Sequence, residues 1–148
     1  MKPFVSKPLE LPAEREAITR ADLVFYDVDH SGPSYRAHVF LDNSKANSET
    51  ELEPENGYVG SFTIFGHAGC FGEEGHCHPM WPTTDEFDRR PQHPLVPFTR
   101  ELEITPALKQ FTKVRASVTV VPEVSEVKGV TAPDVAPASL VRLAVYED

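Results

Sequence analysis

Residues 114–121 read VRASVTVV, and this stretch sets the fold class. Val114, Ala116, Val118 and Val120 fall on one side of an extended chain, with Arg115, Ser117 and Thr119 on the other. A period of two with an apolar, mostly β-branched face is the pattern of a strand half sunk in a core. The pattern repeats in both directions. Downstream, residues 139–146 (SLVRLAVY) read as a closing strand, reached through a Pro-, Gly- and Ser-bearing loop at 122–137. Upstream, residues 98–104 (FTRELEI) alternate and lead into a short helix at 105–111, with Thr105 as N-cap and Pro106 at the first helical position. Before them come 57–66 (GYVGSFTIFG), 35–41 (YRAHVFL) and 22–28 (DLVFYDV), all strand-like. In 35–41, Tyr35, Ala37, Val39 and Leu41 share one face, and Arg36, His38 and Phe40 the other. His38 there reads as a half-exposed strand residue.

The 14 prolines are spread along the chain, which argues against long helices. The expectation is an all-β protein: an antiparallel β-sandwich or jelly-roll-like barrel with one or two short helices. Residues 1–21 read as an extended N-terminal arm, punctuated by Pro3, Pro8 and Pro12, with room for a helical turn at 13–19. Residues 22–148 then form a single β-sandwich domain. Residues 42–56 (DNSKANSETELEPEN) are polar and acidic without periodicity, hence a surface loop. They lack the spaced oxygen ligands and central glycine of an EF-hand.

Composition narrows the function. A net charge of -9 argues against nucleic acid as a partner, because phosphate binding needs clustered Lys and Arg. No apolar run approaches the roughly 20 residues of a membrane span. The N-terminal residues lack the apolar core of a secretory signal, so a cytoplasmic location is the expectation. Neither a G-x-S-x-G elbow nor an H-E-x-x-H motif occurs.

The densest chemistry lies at 65–78, FGHAGCFGEEGHCH, which holds three of the six histidines and both cysteines. His67, Cys70, His76, Cys77 and His78 are all metal-ligand types. The two-residue spacer between His67 and Cys70 is common in zinc sites. Imidazole also suits Cu(II) and thiolate Cu(I), which puts copper ahead of zinc. In an extended segment His76 and His78 share a side and Cys77 faces away, so not all three reach one ion easily. Glu73 and Glu74 in the same segment read as exposed loop acids, or as hydrogen-bond partners of a ligating histidine. A Cys70–Cys77 disulfide closing a short loop is a competing reading. A third is purely structural: glycines for tight turns and cysteines as small apolar fillers. Trp81 reads as a cover over the core or this stretch, and His93 as a loop residue or a remote ligand.

Four runs together carry a family resemblance: SYRAHVFLDN (34–43), GYVGSFTIFGHAGCFGEEGHC (57–77), DRRPQHPLVPFTRELEITPALKQF (88–111) and VTVVP (118–122). They resemble the β-rich domain that follows the catalytic domain in tyrosinases and polyphenol oxidases, the type-3 copper family to which hemocyanins are related. The helical histidine pairs of that family's catalytic domain are absent from this sequence. The resemblance therefore implies a copper-binding accessory protein that delivers copper to, or shields, a tyrosinase-like catalytic partner. Two alternatives stay open: a small copper-dependent oxidoreductase acting on a phenolic or peptide substrate, and a structural domain closed by a Cys70–Cys77 disulfide.

Overall fold

The computed structural model describes residues 3–67, 87, 96–124 and 138–147. Its strands are β1 (Phe4–Val5), β2 (Leu9–Glu10), β3 (Ile18–Val28), β4 (Tyr35–Leu41), β5 (Tyr58–Ile64), β6 (Phe98–Glu103), β7 (Arg115–Ala116), β8 (Val118–Val124) and β9 (Leu140–Glu147). One α-helix, α1 (Thr105–Gln110), and one 3-10 turn (Pro54–Asn56) join them. The strands form a four-stranded sheet in the order β1-β8-β4-β5, a three-stranded sheet β6-β3-β9 and a short β2-β7 ladder. Every pairing is antiparallel. The chain is thus all-β, as its alternation predicts.

The two larger sheets share one core. From β3 come Ile18, Ala21, Leu23, Phe25 and Val28; from β4 come Tyr35, Ala37, Val39 and Leu41, all buried. The Phe25 and Phe62 rings meet between the sheets at 4.9 Å. Leu108 of α1 fills one end of this core. Burial of such side chains stabilises a domain by about 1.5–3 kcal/mol each before chain entropy is set against it.

Several expectations are corrected. The run 114–121 is not one strand. It breaks at Ser117: β7 pairs with β2, whereas β8 lies between β1 and β4. Val114 precedes the break and is 53% exposed, not in the core. β8 instead continues through Pro122, which lies opposite Ala37. On the other side of β8, Phe4 and Val5 of β1 pair with Val120 and Thr119. No helix forms at 13–19. Arg15 closes a single turn instead, its side chain donating to the carbonyls of Pro12 (2.8 Å), Leu108 (3.3 Å) and Lys113 (2.5 Å). Strand β3 then starts at Ile18, which is 1% exposed. Thr105 does not cap α1; Ile104 holds that position. The buried Thr105 hydroxyl accepts the Ala21 N–H at 3.0 Å and donates to Glu103 at 3.0 Å, tying the helix to β3.

The outer face of the four-stranded sheet is also covered. The 42–56 loop folds over it and seats Ala46 against Phe40, Val121 and Tyr58. Gly57 ends the loop at φ 83°, where a Cβ would lie 2.4 Å from the Leu41 carbonyl oxygen. Only glycine fits there.

Tyr35 gives a pH-dependent prediction. Its hydroxyl is buried without a hydrogen-bond partner. Burial, reinforced by the nearby Asp29 carboxylate, pushes the phenol from 10.0 up to about 12. Between those values the unfolded chain has lost a proton that the folded protein keeps, so stability falls as pH rises through that window. Below it, both states are neutral and stability is unaffected. Tyr35→Phe is expected to match or exceed the wild type in urea midpoint at about pH 9, because an orphaned hydroxyl is removed. It is also expected to lose less stability between about pH 10 and pH 12 than the wild type does. An identical pH dependence in the two proteins would refute the assignment.

Candidate metal centre

Strand β5 ends at Ile64, paired with Tyr35, and the next residues pack against the turn that precedes β4. Gly66 passes so close to that turn that a Cβ would lie 2.1 Å from the Gly32 oxygen and 2.4 Å from the Pro33 carbonyl. No other residue type allows this approach. The Gly66 N–H donates to the Ser34 hydroxyl at 3.0 Å, and the His67 N–H donates to the His30 carbonyl at 3.0 Å. The main chain leading into His67 is therefore held by the sheet end.

The ring is fixed as well. His67 Nδ1 lies 3.4 Å from the same His30 carbonyl oxygen. A carbonyl only accepts, so Nδ1 carries the proton in this contact. The His30 ring stands edge-on to the His67 ring at 5.2 Å and to Phe98 at 4.9 Å. Its Nε2 donates to the Val96 carbonyl at 3.0 Å. Phe98 opens β6 and pairs with Val28 at the end of β3. The two histidines thus sit where the ends of both sheets meet.

Of the five sequence-nominated ligands, only His67 is among the described residues. Cys70, His76, Cys77 and His78 lie outside them, as do Glu73, Glu74, Trp81 and His93. Among the described residues no three His, Cys, Asp or Glu side chains gather into a metal-binding group. His30, in contrast, is a neighbour that the sequence does not nominate as a ligand. Its partnership with His67 depends on the β4–β5 register, and no local pattern reports a register.

A second histidine contact lies on the outer face of the four-stranded sheet. His38 is 7% exposed, not half-exposed, because the 42–56 loop covers that face. Its Nε2 donates to Glu123 Oε2 at 2.9 Å, and Nδ1 has no partner. This hydrogen bond outweighs the opposing effect of burial and, with lesser help from the charges of His38 and Arg36, holds the Glu123 carboxyl below its ordinary value. A cavity of about 320 Å³ opens beside the pair, between Leu52 of the loop and Val121 of β8. No helix among the described residues is long and apolar enough to cross a membrane.

No protein-family profile matches the chain, and no curated protein matches it. A solved structure does: a latent aurone synthase, a polyphenol oxidase from a natural source, aligns with a TM-score of 0.52 and 16% identity. The alignment covers 98% of this chain and 24% of that one. The likeness is one of fold, between this chain and a minor part of a larger protein.

Proposed function

We propose that this chain is a copper-binding accessory protein. In this reading His67, Cys70, His76 and Cys77 hold one copper ion, and His78 can replace one of them. Zinc is the second choice of metal. The role is delivery of copper to, or shielding of, a type-3 copper partner. The observation that carries the reading is His67 itself. It stands at the head of the His/Cys stretch, its main chain tied to a sheet end and its Nδ1 turned onto a carbonyl. Metal-ligating histidines characteristically donate their other ring N–H to such an acceptor.

The donor set fits the metal. Imidazole nitrogens suit Cu(II) and thiolates suit Cu(I), so a mixed set tolerates both oxidation states. The shared fold with part of a polyphenol oxidase supports copper over zinc. Metal analysis tests the reading. Protein purified without added metal, equilibrated with copper and desalted is expected to retain about one copper per chain. Thiol counting on the same metal-free protein separates this from the disulfide reading. Two titratable cysteines are expected without reductant; none would favour the Cys70–Cys77 bridge.

A further inference from the structure

We infer that the cavity beside His38 and Glu123 binds a small organic ammonium ion, with Glu123 as the anchor and His38 as the residue that positions it. This site shares no residue with the metal reading and is independent of it. The cavity, about 320 Å³, lies on the outer face of the four-stranded sheet. That is the small end of the range for ligand pockets, roughly 300–1,000 Å³. Leu52, Val121, Pro122 and Val124 give it apolar walls. The wall formed by the loop is built in advance. Ala46 is seated against Phe40 and Val121. The turn that follows is closed by its own bonds. The Asn47 N–H donates to the Thr50 hydroxyl at 3.0 Å, the Thr50 N–H to the Asn47 carbonyl at 3.1 Å and the Glu49 N–H to Asn47 Oδ1 at 2.8 Å.

Glu123 differs from an ordinary surface carboxylate. Its side chain is 66% exposed, so a cation can reach it, and such a side chain is usually too mobile for its ion pairs to contribute much. Here Oε2 accepts from His38 Nε2 at 2.9 Å, and the His38 side chain is only 9% exposed. The imidazole has no second hydrogen bond, because Nδ1 is buried without a partner. The Tyr58 ring lies beside it, with centroids 6.1 Å apart. A buried ring thus fixes the direction of an exposed charge, and less side-chain freedom is lost when a ligand binds it. Glu123 Oε1 has no partner among the described residues, which leaves it to accept from an ammonium group while the apolar body of the ligand lies on the walls. Arg36 is opposite Glu123 in the ladder, but it lines the neighbouring cavity and not this one. The net charge of -9 favours the approach of a cation.

The probe is cyclohexylammonium, titrated into the ¹⁵N-labelled full chain and followed by ¹H–¹⁵N correlation spectra. Cyclohexanol, nearly the same shape without the charge, is the comparison. Cyclohexylammonium is expected to give saturable shifts at residues 47–52, 121, 123 and 124 and at His38 Nε2, and cyclohexanol to bind about tenfold more weakly or less. No saturable shift at these residues, or equal binding of the two probes, would overturn the site. Glu123→Gln keeps the size of the side chain and loses its charge. It is expected to weaken cyclohexylammonium binding about tenfold, and an unchanged affinity would overturn the anchor. His38→Phe keeps a ring beside Tyr58 but loses the bond to Glu123, and about threefold weaker binding is expected. His38→Gln, which restores a donor, is expected to recover part of that loss. Equal binding by His38→Phe and wild type, or no recovery in His38→Gln, would overturn the positioning role. Arg36→Gln removes a nearby positive charge and is expected to bind the probe at least as tightly as wild type; weaker binding would overturn the choice of a cation.

Discussion

Phe25→Ala is expected to lower the stability of the domain by about 3–5 kcal/mol, the largest loss any single side chain here should produce. Phe25 is 0% exposed. It sits mid-strand on β3, opposite Arg100 of β6 and Val141 of β9, so sheet neighbours hold its backbone on both sides. Its ring meets Phe62 of the opposing sheet at 4.9 Å. Truncation leaves a cavity between two sheets whose strands are pinned by their ladders, so little collapse can refill it. Domains of this size are stable by only about 5–15 kcal/mol, so the variant should sit near the edge of folding. Urea titration measures this directly: the midpoint should fall while the slope stays constant. A loss below about 1 kcal/mol would mean that the sheets do not pack through this contact.

Gly66→Ala is expected to be the most damaging small substitution, at about 2–3 kcal/mol. The added Cβ meets Gly32 and Pro33 backbone atoms at 2.1–2.4 Å, and backbone cannot swing aside as a flexible side chain would. The strand end must shift, and the His67 contacts with His30 shift with it. The variant should therefore lose both stability and metal affinity. Gly32→Ala is the control, because a Cβ there meets nothing within 4 Å. It should change stability by no more than about 0.5 kcal/mol. Equal effects of the two substitutions would show that the approach of residues 65–67 to the β3–β4 turn is wrong.

How much of this could be read beforehand depends on how far each contact reaches. Strand β4 was legible to the residue, because Tyr35, Ala37, Val39 and Leu41 alternate cleanly and all enter the core. The stretch 114–121 also alternates cleanly, yet it serves two ladders. Alternation reports which side of the chain is apolar, not which strand lies alongside. The break at Ser117 comes from distant partners: its carbonyl accepts the Asp42 N–H at 2.8 Å, and Ser6 brackets Val118. The burial of His38 and Phe40 was hidden for a similar reason. A polar loop with one seated alanine, Ala46, covers them, and composition gives no sign of that. At the candidate site, residue types nominated His67. They did not single out His30, because only the hairpin register brings it alongside.

The central claim is that the His/Cys stretch headed by His67 holds copper. Its most direct test is the copper content of wild type and of a His67→Ala/Cys70→Ala variant, each equilibrated with copper and desalted side by side. The account predicts about one copper per wild-type chain and a content near background in the variant, with both proteins folded. Wild type without copper or zinc, or a variant that retains the wild-type content, would contradict it.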